Sequence, residues 1–77
     1  MKVRVKLYDD MKPYAPEGQA EFHLSLAPGA TLSRLHDKLQ IPPNSTHTVL
    51  VNGRRQPLST PLNPGDTIVM FPQLCGG

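Results

Sequence analysis

The sequence has a single cysteine, Cys75, and no tryptophan. One cysteine cannot form an internal disulfide or a multi-cysteine metal site, and this usage is typical of a reducing compartment. Aromatic residues make up only 5% of the chain, which is too few for a surface that stacks nucleic-acid bases. These scarcities favour a cytoplasmic protein that has no nucleic-acid partner.

Charge of one sign and long apolar runs are also scarce. Eight basic residues against six acidic ones give a net charge of +2, too weak and too dispersed to indicate nucleic-acid binding. Residues 1–7 alternate charged and apolar side chains, unlike a signal peptide, and no segment approaches the length of a membrane span. We expect one small domain in 77 residues and no membrane partner.

Two segments near the N-terminus alternate between apolar and polar residues. The apolar positions are Val3, Val5 and Leu7 in the first segment and Ala20, Phe22, Leu24 and Leu26 in the second. A period of two predicts two paired strands, each with one buried face, and leaves the cations of the first strand in solvent. The loop between them is too long for a tight hairpin, so the apolar pattern must set the register.

A short helix is predicted next. Leu32, Leu35 and Leu39 recur at helical intervals after Thr31, which is suited to cap the helix N-terminus. The helix must end before Pro42-Pro43, because proline disfavours helical conformation in the residue before it. We expect Ile41 to enter the core as the chain leaves the helix.

The remaining sequence predicts three strands. Val49-Leu50-Val51 precedes Asn52-Gly53, a strong turn signal, and a short return strand follows within residues 54–58. Residues 67–71 are apolar on both faces, which is typical of a central strand. Since one helix covers one face of a sheet, the other face is a candidate partner surface. The order of elements predicts an α+β protein with a β-grasp (ubiquitin-like) fold, in which a mixed sheet of four to five strands packs against one main helix.

The C-terminal residues 62–77 contain a leucine, a Gly-Asp turn, an apolar strand, Phe71-Pro72 and a final Gly76-Gly77. This pattern resembles the MoaD/ThiS family of ubiquitin-like sulfur carrier proteins, and residues 49–53 resemble the third strand and turn of that family. Phe71-Pro72 favours the MoaD branch. We predict a single β-grasp domain over residues 1–71 and a flexible tail over residues 72–77.

The resemblance implies a carrier and not an enzyme. A separate adenylating enzyme of the MoeB/ThiF type would use ATP and Mg²⁺ to activate the carboxylate of Gly77, next to Gly76. A sulfur donor would then convert it to a thiocarboxylate, and the carrier itself would bind no cofactor. A MoaD-type protein would pair with a MoaE-like large subunit as molybdopterin (or tungstopterin) synthase.

The resemblance also implies a docking surface on the last strand. By position, Ile68 and Met70 point into the core, and the partner-binding residues are Leu50, Val69, Phe71, Pro72 and Leu74. The alternative is that the long loop folds over this face and buries it, with Tyr14 as its anchor.

Other interpretations stay open. The chain could be a ThiS-like carrier for thiazole synthesis, a ubiquitin-like modifier joined to lysine through Gly77, or a binding module in which Gly-Gly is incidental. Cys75 departs from the family pattern, either as a tolerated exposed thiol or as a redox partner of sulfur bound at Gly77. Cys75 and the three histidines match no metal-binding motif, so no metal site is predicted.

Overall fold

The computed structural model describes residues 1–8, 13–15, 18–42 and 47–72. This part of the chain forms five strands and one helix. In chain order they are β1 (Lys2–Leu7), β2 (Glu21–Ser25), α1 (Leu32–Leu39), β3 (His47–Val51), β4 (Arg54–Arg55) and β5 (Thr67–Pro72). The predicted order of elements is confirmed, and so is the β-grasp fold.

The five strands form one mixed sheet in the order β2-β1-β5-β3-β4. β5 is central, parallel to β1 and antiparallel to β3. It includes Pro72, which pairs with His47, one residue beyond the strand end predicted from the sequence. Proline has no N–H to donate, and a strand end is one of the few positions in a sheet that accept it.

The core lies between α1 and one face of the sheet, here called the inner face. Leu32 and Leu35 of the helix are fully buried against it. The strand residues buried there are Val3, Val5, Leu7, Phe22, Val51, Ile68 and Met70. Tyr14 packs against this core cluster. The alternative prediction, in which Tyr14 anchors the long loop over the opposite (outer) face of the sheet, is therefore not supported.

Both ends of α1 are capped by residues next to it. Thr31 adopts an extended conformation, and its side chain accepts a hydrogen bond from the backbone N–H of Arg34, as predicted. At the other end Gln40 is left-handed (φ 59°), and the N–H of Ile41 donates to the carbonyl oxygen of His36. This is the Schellman arrangement, in which the next residue packs into the core. Ile41 is accordingly only 3% exposed, as expected.

The irregular segment before β5, residues 56–66, also provides hydrogen-bond acceptors for the start of the helix. The backbone N–H groups of Leu32 and Ser33 donate to carbonyl oxygens of Thr60 and Leu58. The first amides of a helix have no partner within the helix, so this segment satisfies two of them. Leu62, which lies in the core, anchors the segment.

Candidate functional site

The central strand β5 presents different residues to the two sides of the sheet. Ile68 and Met70 are fully buried on the inner face, and Val69 and Phe71 are half-buried on the outer face. The same alternation in β3 puts Val51 in the core and Leu50 on the outer face, where it lies directly across from Val69. The predicted orientations of Ile68 and Met70 inward and of Leu50, Val69 and Phe71 outward are confirmed.

Tyr8 belongs to the same surface and was not among the residues predicted from the sequence. Its backbone N–H donates to the carbonyl oxygen of Met70 at 3.0 Å, which continues the parallel pairing of β1 with β5 by one residue. The side chain is 46% exposed, whereas that of Leu7 is fully buried, so Tyr8 faces outward near Phe71. We call Tyr8, Leu50, Val69 and Phe71 the apolar patch. The signal in the sequence was the alternation of β1, which extends one residue beyond Leu7.

Side-chain hydrogen bonds join the end of β3 to the start of β5. Asn52 donates from Nδ2 to Oδ1 of Asp66 at 2.9 Å, and its own Oδ1 accepts from the backbone N–H of Thr67 at 3.0 Å. The other oxygen of Asp66 accepts from the backbone N–H of Asn63 at 2.8 Å. Both carboxylate oxygens of Asp66 are therefore occupied in shaping the turn, which is a structural role.

Asn52 and Gly53 form the tight turn that leads into β4. Both have positive φ, 52° and 86°, as a two-residue type I′ hairpin turn requires. The turn was predicted from the dipeptide alone. The contacts of the Asn52 side chain to Asp66 and Thr67 were not, because those partners lie more than a dozen positions further along the chain.

Part of the predicted site lies beyond these elements. Pro72 is the last residue of β5, and its backbone continues the strand. Leu74, Cys75, Gly76 and Gly77 lie outside the described residues, so their predicted roles as docking, redox and reactive residues stay predictions.

Two histidines meet between the helix and the sheet. His36 of α1 is 3% exposed, and its Nε2 lies 2.8 Å from Nε2 of His47 at the start of β3. Nδ1 of His36 lies 2.8 Å from the carbonyl oxygen of Leu32, which can only accept, so Nδ1 carries a proton. In neutral His36 the Nε2 atom is then an acceptor, and His47 donates to it. The sequence carries no signal for this contact.

The described residues contain no group of three or more His, Cys, Asp or Glu side chains that could hold a metal ion. The pair of histidines has no third ligand of that kind within this part of the chain. The described surface does offer an apolar patch on the sheet, and two of its residues, Val69 and Phe71, lie on the strand that precedes residues 73–77.

Comparison with known proteins identifies the chain. Residues 5–77 match the model of the ThiS family, a match that includes β5 and the segment that follows it. The chain belongs to the ThiS family. Proteins of the ThiS/MoaD type are ubiquitin-like sulfur carriers, small carrier proteins that are generally not catalysts. The resemblance predicted from the C-terminal residues is confirmed. No curated protein matches the chain significantly.

Several solved structures share the fold of this ThiS family protein. SAMP1 from Haloferax volcanii has a TM-score of 0.81 at 22% identity, with 100% of both chains covered. The putative molybdopterin converting factor subunit 1 from Pyrococcus furiosus has a TM-score of 0.80 at 23% identity, covering 95% of this chain and 98% of that one. At these identities the likeness shows the fold alone.

A third solved structure is a complex. In the protein-protein complex of subunits 1 and 2 of molybdopterin-converting factor from Helicobacter pylori, the matching chain has a TM-score of 0.69 at 25% identity, with 100% of both chains covered. A chain similar to this one thus occurs in a complex with a second subunit.

None of the described helices of the ThiS family protein has the length and apolar character that a membrane span needs.

Proposed function

We propose that this protein carries sulfur on the carboxylate of Gly77 as the small subunit of molybdopterin synthase. A carboxylate is a poor electrophile, so it must first be activated. A MoeB/ThiF-type enzyme would transfer AMP from ATP, with Mg²⁺, to the Gly77 carboxylate and release pyrophosphate. A sulfur donor would then displace AMP and leave the thiocarboxylate.

The observation that carries this proposal is the family match, which runs from the domain to Gly77. The central strand β5, with apolar residues on its outer face, directly precedes residues 73–77 in the sequence, the segment proposed to react. A partner bound to the apolar patch would therefore hold the segment that follows β5 close to its own active site. Binding energy from contacts remote from the reacting atoms can be used in this way to position a substrate.

Two observations favour the molybdopterin branch. Phe71-Pro72 resembles the MoaD pattern. The Helicobacter pylori relative occurs as a complex of subunits 1 and 2 of molybdopterin-converting factor, which supports a MoaE-like large subunit as the second partner here. ThiS-like sulfur transfer for thiazole synthesis and conjugation to lysine through Gly77 remain the alternatives, and both would use the same activated carboxylate.

Intact mass spectrometry after incubation with the adenylating enzyme, ATP, Mg²⁺ and sulfide distinguishes these functions. A gain in mass equal to one sulfur in place of one oxygen is expected for a sulfur carrier. Conjugates to lysine would indicate a modifier, and an unchanged mass would contradict activation at Gly77. A MoaE-like subunit and the molybdopterin precursor, added afterwards, should remove the sulfur if the molybdopterin branch is correct.

We predict that Gly77→Ala abolishes sulfur loading without changing the stability of the domain, because a Cβ at the last residue obstructs a narrow active-site channel. Mass spectrometry and thermal unfolding measure the two effects. Cys75→Ser is the control in the same segment, and it should load sulfur normally if the thiol is merely tolerated. Loss of loading in Cys75→Ser would assign the thiol a redox role, and normal loading of Gly77→Ala would contradict the proposed chemistry.

A further inference from the structure

The apolar patch has positive charge on both sides. On β1, Lys6 lies across from Val69, and on β4, Arg55 lies across from Leu50. Residues that face each other across paired strands share one face of the sheet, so both cations border the patch directly. Lys2 and Arg4 extend the positive border along β1, since they alternate with the buried Val3 and Val5.

Positive charge is concentrated on this face. The four cations of the outer face are accompanied by one acid among the described residues there, Glu21, which gives the face a net charge of +3 with histidine neutral. Elsewhere in the described part of the chain, three cations and two acids give a net charge of only +1, so this face holds most of the positive charge described.

A cleft of about 370 Å³ opens beside two of these cations, Lys2 and Arg4. Its lining residues are Lys2, Arg4, His23, Gly65 and Thr67, with no acid among them. Arg4 contacts Glu21 through Nε at 3.6 Å, but both side chains are about half exposed. Such an exposed ion pair contributes little to the free energy of unfolding. A guanidinium has five N–H donors, so Arg4 can still donate a hydrogen bond into the cleft while it contacts Glu21.

We infer that the outer face docks onto a partner protein whose contact surface is apolar at its centre and rimmed with carboxylates, one of which enters the cleft beside Arg4. Protein interfaces of this kind combine an apolar centre with a charged rim. The inference rests on the proposed function and adds to it the chemistry of the partner surface. The adenylating enzyme is the partner to which it applies.

Other occupants fit this face less well. A second copy of the chain would bring two surfaces of charge +3 together, and like charges opposed across an interface are unfavourable. A bound nucleic acid would place phosphates next to Val69, Leu50 and Phe71 at the centre of the face. These phosphates would lose their hydration without forming an ion pair in return, which is unfavourable. A partner surface with an apolar centre and an acidic rim would bury the apolar patch and pair its carboxylates with the cations of the border.

The test is the rate of association with the MoeB/ThiF-type enzyme of the same organism, measured by stopped flow at low and high salt. We expect Lys6→Glu and Arg55→Glu each to slow association several-fold at low salt, and about tenfold together, because charged borders steer encounter. The difference from wild type should shrink at high salt, where screening is strong. Circular dichroism checks that the variants are folded.

The matched controls carry the same charge change on the other side of the molecule. Arg54 is adjacent to Arg55 but lies across from the buried Val51, so its side chain is on the inner side of the sheet edge. Arg34 is exposed on α1. Arg54→Glu and Arg34→Glu should associate more nearly like wild type. If they slow association as much as Lys6→Glu and Arg55→Glu, net charge is responsible and the proposed surface is wrong.

The remaining outcomes separate this inference from the proposed function. Salt-dependent association without sulfur loading would overturn the function and keep the surface. Normal loading by the Lys6→Glu and Arg55→Glu variants, with association rates like wild type, would overturn the surface and keep the function. Failure of the wild type to associate with the enzyme would also overturn the surface. So would dimerisation of the wild type through this face, or binding to a DNA duplex that these two substitutions abolish.

Discussion

At the scale of single residues, the contact between His36 and His47 joins the helix to the sheet through two polar side chains in a region of apolar packing. His36 makes two hydrogen bonds while nearly fully buried, one to its own helix and one to β3. A buried polar side chain is tolerated when its hydrogen bonds are satisfied, and it is costly when one partner is removed. The pair therefore fixes the helix against the start of β3.

We predict that His36→Ala lowers the free energy of unfolding by about 1–3 kcal/mol, through the lost hydrogen bonds and the cavity left behind. In a double-mutant cycle with His47→Ala, the coupling energy should be about 0.5–1.5 kcal/mol. Urea denaturation provides the measurement. His23→Ala is the control, because His23 is exposed on the outer face and should change stability by less than about 0.5 kcal/mol. A coupling energy near zero would contradict the role of the pair.

At the scale of elements, α1 is only eight residues long and depends on its ends. Helices of this length are not stable in isolation, so caps and packing must hold it. Thr31 caps the start, and the backbone of the segment before β5 satisfies two further amides. The C-terminal cap is less favourable, because Gln40 has a side chain at a left-handed position that glycine occupies more readily.

Replacing this residue should stabilise the protein. We predict that Gln40→Gly raises the free energy of unfolding by about 0.5–1 kcal/mol, since glycine adopts positive φ without steric cost. Arg34→Gly, at an exposed position inside the helix, should lower it by a similar amount. Chemical denaturation of both variants measures the difference. A destabilised Gln40→Gly protein would show that the Gln40 side chain contributes more than the backbone conformation costs.

At the scale of the whole molecule, stability is expected to decrease from the middle of the sheet to the β4 edge. β5 pairs on both sides and contributes two fully buried residues, whereas β4 has two residues, both exposed, at the edge. We predict that backbone amides of β5 exchange with solvent most slowly and those of β4 fastest among the strands, as measured by NMR hydrogen exchange. Exchange at Val69 as fast as at Arg55 would contradict this order.

The central position of β5 matters for the proposed function. A strand held on both sides keeps a fixed orientation for Val69 and Phe71 and for the chain that continues from Pro72. The docking surface would then be ordered before the partner binds, which limits the conformational entropy lost on binding. The weakly held β4 carries only one residue of the border, Arg55.

Local chemistry in the sequence was sufficient for most of the elements. Period-two alternation predicted β1 and β2, Thr31 predicted the helix start, and Asn52-Gly53 predicted the turn after β3. The central position of β5 was indicated by its apolar residues on both faces, whereas the inward orientation of Ile68 and Met70 was implied by the resemblance to the MoaD/ThiS family. Each of these signals involves residues that are neighbours along the chain, where spacing alone determines which side chains share a face.

What the sequence by itself determined is thus the order of elements, the buried faces of β1 and β2 and the family to which the C-terminal pattern points. Only the tertiary structure decided that β5 lies between β1 and β3. That arrangement brings His36 to His47, clamps Asn52 to Asp66, adds Tyr8 to the apolar patch and places Lys6 and Arg55 on opposite sides of it. The physical reason is that pairing across a sheet joins residues far apart in sequence, and a pattern of neighbours carries no record of such contacts.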